Sequence, residues 1–181
     1  MHRFPLRALT GTTPFHLKKV YAVSRRMVHV EAKIAELGFK LPAVNSPKGN
    51  YALFTRTGNL LFTAGHLPQP ADGPLITGKV GKDLDVDAGY EAAQYTALSL
   101  LATLKEELGD LDKIEKIVKV VGFVNCVDGF TDQPKVINGL SDLLGNVLGE
   151  KGKHARSAVG TNALPLNVPV EVELVVQVKD D

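Results

Sequence analysis

The sequence predicts an α+β domain, a mixed β-sheet with two helices packed on one face. Three observations predict it. Apolar residues recur at helical spacing between Asp85 and Leu108, and again between Asp132 and Gly149. Short Val-, Thr- and Leu-rich runs lie before, between and after these stretches, with the composition of strands. Residues 114–124 are apolar on both alternating faces, which marks a central, covered strand. The resulting order is β-β-α-β-α-β-β.

Each element has a local justification. Residues 28–37 form a short amphipathic helix (Val28, Ala32, Ile34, Ala35, Leu37) closed by Gly38. Residues 41–50 are a Pro/Ser/Gly loop. Residues 51–55 and 59–63 flank Arg56-Thr57-Gly58 and read as a β-hairpin. Gly65-His66-Leu67-Pro68 opens a loop reaching Asp85. Asp85 or Asp87 caps a long helix whose stripe is Ala92, Tyr95, Leu98 or Ser99, and Ala102, and Gly109 stops it. After the central strand, Asp132 and Pro134 open a second helix. Its Val136, Ile137, Leu140, Leu143, Leu144 and Val147 share one face, and Gly149 ends it. The chain closes with strand-like residues 155–163 and 168–178 around a link containing Asn162, Pro165, Asn167 and Pro169.

Composition bounds the function. With 181 residues, 44% of them hydrophobic, one globular domain can bury a core without staples. No apolar run reaches the roughly 20 residues of a membrane span, so no membrane partner is expected. Cys126 is the only cysteine, and the five histidines show no metal-ligand spacing, so neither a disulfide nor a metal site is expected. The formal charge of +1 hides an asymmetry. Six cations (Arg3, Arg7, Lys18, Lys19, Arg25, Arg26) precede the first acid, Glu31, and the remainder carries 15 Lys/Arg against 20 Asp/Glu. That acidic balance argues against a nucleic-acid partner. Residues 1–27 have the composition of a mitochondrial targeting segment, with matrix localisation implied and a cytoplasmic protein with a basic arm as the alternative. The domain then spans residues 28–181.

The closing segment carries the chemistry. If its two strands pair antiparallel around Leu164 or Pro165, Arg156 lies opposite Glu171 or Glu173. The two glutamates share a face in any register. Such a pair reads either as a grip for an anionic substrate or as a structural cross-strand ion pair worth about 0.2–1 kcal/mol. Taken alone, Tyr51 reads as a packed strand aromatic, His66 as bystander loop surface and Cys126 as a small buried hydrophobe.

These residues also carry a family resemblance. Tyr51, Phe62-Thr63-Ala64-Gly65-His66-Leu67-Pro68, Phe123-Val124, Ala155-Arg156-Ser157, Leu164-Pro165 and Val170-Glu171-Val172-Glu173 resemble the YjgF/Rid family. It is the family of reactive intermediate deaminases, also called L-PSP endoribonucleases. The resemblance runs from about residue 51 to 178. It implies a chorismate-mutase-like α+β fold and a homotrimer with ligand clefts between subunits. The implied reaction is cofactor-free hydrolysis of enamines or imines to 2-keto acids and ammonia. By this resemblance Arg156 binds the substrate carboxylate, Glu171 handles the hydrolytic water, Tyr51 and Gly65 line the pocket, and Asn138 lies near the cleft.

The residue types suit that chemistry. A guanidinium holds a planar carboxylate through two parallel hydrogen bonds. A carboxylate in a desolvated cleft moves its pKa toward neutrality and can relay a proton, and Glu173 would push Glu171 further up. Three positions depart from the family pattern: Ala158 where Cys or Ser is common, His154 where Pro is usual, and Asn162 where a small or basic residue is common. Ala158 removes a hydrogen-bonding group beside Arg156, so the alternative is a non-catalytic trimer binding a small carboxylate. Chorismate mutase activity would need several cations around a dianion, and only Arg156 is evident.

Overall fold

The structure, a computed structural model, describes residues 29–179 apart from 45 and 48. Residues 1–27, read as a targeting segment, lie outside the described residues. The elements are α1 (Val30–Glu36), β1 (Phe54–Thr57), β2 (Leu60–Thr63), α2 (Val86–Leu108), β3 (Ile114–Asn125), α3 (Gln133–Leu148), β4 (Ala155–Thr161) and β5 (Val170–Val178). After α1, the order of strands and long helices is the expected one.

Alternation along β5 sets the layering. Val170, Val172, Leu174, Val176 and Val178 are buried, while Glu171, Glu173, Val175 and Gln177 face the other way. The buried row lies beneath α2 and α3, which share one face of a five-stranded mixed sheet ordered β1-β2-β5-β3-β4. No helix among the described residues covers the opposite face. Phe62 and Val159 are 39% and 46% exposed there, beside half-buried Val121, Phe123 and Val175. Strand β3 is therefore central, as expected, but covered on one face only.

The closing hairpin does not form. β4 pairs parallel to β3, and β5 pairs antiparallel to β3 on its other side. The cause is topological. β3, α3 and β4 make a β-α-β crossover, and a helix bridging two strands brings the second back parallel to the first. Residues 162–169 then cross over β3 instead of turning tightly. They contain a 3-10 turn, Pro165–Asn167, in which Leu166 and Asn167 both take left-handed backbone at φ 56°.

Helix ends follow their local chemistry. The Asp85 carboxylate accepts from the Ala88 N–H at 2.8 Å, and Gly109 closes α2 in the left-handed region at φ 72°. Asp132 stands at the start of α3 without capping it, because its carboxylate pairs with Lys135 at 3.0 Å. The expected stripe of α3 is buried throughout. α2 differs, being wrapped on more sides than one stripe allows. Ala93, Thr96, Ala97, Leu100, Leu101 and Leu104 are all buried, while Tyr95 and Ser99 are only half-buried.

Carboxylates fasten α1 to this layer. Glu31 pairs with Lys105 of α2, and Asp112 accepts from the Val30 N–H at 3.1 Å. Val30 and Ile34 complete the core. The same Asp112, with Asp110 and Glu31, forms a carboxylate group whose nearest oxygens lie within 4.8 Å of one another.

The helices approach closely at Gly139. A Cβ there would lie 2.0 Å from the Tyr90 carbonyl oxygen of α2, a backbone atom that cannot step aside. Gly139→Ala is expected to force α2 and α3 apart and to cost about 1–3 kcal/mol. Urea unfolding should show a lower midpoint with an unchanged m-value.

Candidate functional site

Arg156 leaves β4 on the helix-covered face, and α3 receives it. Its Nη1 donates to Asn138 Oδ1 and to Ser141 Oγ, each at 2.9 Å, and Nη2 donates to the Pro134 carbonyl at 3.4 Å. Asn138 and Ser141 are three residues apart, so they lie on one face of α3. Both Nη1 protons are thus committed to the protein. Among the described residues, no carboxylate pairs with Arg156. The Nε–Nη2 edge, which can meet a carboxylate with two parallel bonds, carries only the long Nη2 bond to Pro134 among the described residues.

Glu171 occupies the helix-free face instead. Its carboxylate lies against Gly65, where a Cβ would come within 1.9 Å of Oε1, so glycine is the residue that fits there. Half-buried, Glu171 has its pKa raised by burial first and by the neighbouring Glu173 second. The two glutamates share a face, as the alternation predicts.

Gly65 also lines a cavity of about 300 Å³ with Tyr51, His66, Gln69, Ser99, Thr103 and the apolar Val44, Leu53, Leu67, Leu75 and Leu166. Tyr51 stands at its rim, 50% exposed. His66, read from sequence as surface, is buried at 7% exposure. Its Nδ1 lies 2.8 Å from the Ala64 carbonyl, which can only accept, so Nδ1 carries the proton. Nε2 then accepts from the Thr103 hydroxyl at 2.8 Å. Burial lowers the His66 pKa, which keeps the ring neutral.

The expected residues therefore form two groups. Arg156 and Asn138 are brought together, and Gly65 both meets Glu171 and lines the cavity with Tyr51, although Glu171 itself does not line it. The expected Arg156–Glu171 cross-strand pair is absent, because β3 stands between the two strands. Arg156 is level with Val120, Glu171 is level with Phe123, and the two side chains leave opposite faces of the sheet. Two strand spacings and three residues of offset put their Cα atoms roughly 14 Å apart.

Comparison with known proteins decides the family. Residues 31–178 match a family model described as "YjgF/chorismate_mutase-like, putative endoribonuclease". The chain belongs to the YjgF/chorismate mutase-like family. Protein TCP17 of Trypanosoma cruzi is 41% identical over 152 residues, spanning 83% of this chain and 95% of that one. A crystal structure of Atu1372 from Agrobacterium tumefaciens, of unknown function, superposes with a TM-score of 0.78. It is 44% identical and covers 83% of this chain and 92% of its own. A protein of Shewanella oneidensis, described in the same words as the family's activity, superposes at 0.79. It is 32% identical, over 82% of this chain and 99% of its own.

The sequence reading of this YjgF-like chain missed residues that border both groups. Thr103 was hidden in the apolar pattern of α2, although a threonine inside a buried stripe is itself a signal. Ser141 follows Asn138 by three positions and was detectable by helical spacing alone. His154, noted only as a departure from the family pattern, hydrogen-bonds Ser141 at 3.0 Å.

Glu171 gives a test of its surroundings. A carboxyl whose folded pKa lies above its ordinary value, about 4.5, holds its proton more tightly in the fold. Its contribution favours the folded state at low pH and is lost as pH rises through the carboxyl range. Glu171→Gln should therefore raise Tm at pH 7, with the gain fading toward pH 3. A gain of equal size at both pH values would contradict this environment.

Proposed function

We propose that this protein hydrolyses reactive enamine and imine intermediates to 2-keto acids and ammonia without a cofactor. The site would be assembled between copies of the chain. The observation that carries the reading is the way Arg156 is held. Two α3 side chains consume its Nη1 protons, which leaves the Nε–Nη2 edge for a carboxylate at a fixed angle. A half-buried glutamate of raised pKa, lying against Gly65, supplies the second requirement.

The chemistry balances with these groups. Glu171, as carboxylate, takes a proton from water while the water oxygen bonds to the imine carbon. The protonated carboxyl gives that proton to nitrogen, which forms the carbinolamine. It then takes the carbinolamine's hydroxyl proton and passes it to nitrogen as the C–N bond breaks, the C=O forms and ammonia leaves. Tyr51 and Gly65 border the reacting carbon, and Asn138 fixes the arginine.

Within one chain Arg156 and Glu171 sit on opposite faces of the sheet, so one copy is unsuited to holding both ends of a small substrate. The half-exposed apolar rows of the helix-free face and the unpaired outer edge of β4 suit contact with another copy. A homotrimer with clefts between subunits is the assembly we propose. For residues 1–27 we propose mitochondrial import, on their acid-free basic composition.

A second reading rests on Ala158, which puts a methyl where a hydrogen-bonding side chain would stand two residues after Arg156. On that reading the trimer binds a small carboxylate without turning it over. One assay separates the two. An amino-acid oxidase generates 2-imino acids in situ, and keto-acid and ammonia release are followed. Wild type should accelerate release, and Arg156→Ala should lower kcat/KM by about a hundredfold. Binding of 2-oxobutanoate by the wild type without any acceleration would favour the second reading. Acceleration surviving Arg156→Ala would refute the site.

A further inference from the structure

We infer that Ser141 and His154 are positioning residues that lock the Arg156 guanidinium in its carboxylate-binding orientation. The inference rests on the ligand-binding reading of Arg156; it gives the Ser141 hydroxyl a fixed direction and adds His154, to which that reading gives no role.

The hydrogen-bond directions follow from elementary donor and acceptor rules. The Gly152 carbonyl can only accept, and it lies 2.6 Å from His154 Nδ1, so Nδ1 carries the ring proton. Nε2 of the neutral ring is then an acceptor. The Ser141 hydroxyl, 3.0 Å away, must donate to it. With its proton pointed at His154, Ser141 turns its lone pairs to Arg156, whose Nη1 donates at 2.9 Å. Every bond in the relay Arg156 → Ser141 → His154 → Gly152 thus has one direction.

Geometry makes the relay stiff. Gly152 lies in the 3-10 turn Gly149–Gly152, where a Cβ would be 2.3 Å from the Leu144 carbonyl, so this turn is packed against α3. His154 is half-buried two residues beyond that turn's end and two residues before Arg156. Burial, with Arg156 nearby, lowers its pKa and keeps the ring neutral. A serine hydroxyl without such an acceptor rotates freely and can bond back to its own helix. The histidine removes that freedom. Asn138 alone would leave the guanidinium a single strong anchor, about which it could swing.

The experiment uses the full-length protein in its native assembly. Ser141→Ala breaks the relay in the middle and His154→Leu at its end. Ser141→Thr keeps the hydroxyl, and His154→Gln keeps an acceptor at similar reach. The first two variants should each weaken 2-oxobutanoate binding, and raise KM for imino acids, roughly tenfold, the worth of one hydrogen bond to a charged group. kcat should move far less. The double variant should be no weaker than either single one, because both cut the same relay. Ser141→Thr and His154→Gln should recover most of the affinity.

A second readout does not depend on ligand or turnover. ¹⁵N NMR of the arginine side chain should show slow Nη1 exchange in wild type and fast exchange in Ser141→Ala. Faster exchange with a protein that neither binds keto acid nor hydrolyses imines would overturn the proposed function while leaving the positioning role intact. Unchanged exchange and affinity in Ser141→Ala would overturn the positioning role. So would additive losses in the double variant, a fall in kcat at constant KM, or no rescue by Ser141→Thr.

Discussion

Strand β3 bonds β4 in parallel on one side and β5 antiparallel on the other, and most features of the site descend from that arrangement. It places the guanidinium of Arg156 under the helices and the carboxylate of Glu171 on the bare face. It also leaves β4 as an edge strand, free along one side. A direct β4–β5 hairpin would have joined cation and acid as an ion pair and quenched both. Separation by one strand keeps Arg156 without a carboxylate partner. It also lets burial and Glu173 raise Glu171 with no cation to counter them.

The two halves are built in different ways. The arginine end is rigid and polar, with both Nη1 protons assigned to α3. Gly65, which meets Glu171, also lines a cavity whose walls are mostly apolar, with polar atoms confined to a few positions such as the His66–Thr103 pair. A carboxylate needs directional bonds, whereas a variable side chain needs volume and few commitments. That division suits a site that grips one group common to many metabolites and tolerates differences in the rest.

Much of the fold was legible because its signals are local. Asp85 and Gly109 bracket α2, and the apolar face of α3 repeats at helical spacing, so each element could be read within a window of one or two turns. Strand partnership is a long-range property. A proline-containing link between two strand-like segments is compatible with a hairpin or with a crossover. Here the deciding information lay upstream, in the helix joining β3 to β4. Arg156, Gly65, Glu171, Tyr51 and Asn138 were legible as separate residues, but their grouping was not, because grouping depends on which strand stands between them. His66 escaped for a related reason. A loop position next to a strand carries no periodicity, so its burial under α2 leaves no trace in the pattern.

The fastening of α1 has a consequence for how the chain can be handled. Glu31 and Asp112 tie the start of the described fold to the corner between α2 and β3, within the helix layer. The described fold therefore starts on the side opposite the bare sheet face. A join made at that point starts clear of the bare face. The other end is less forgiving. β5 runs through the interior of the sheet to Val178, beside both β2 and β3. Shortening the chain from that end strips a strand from the middle of the sheet.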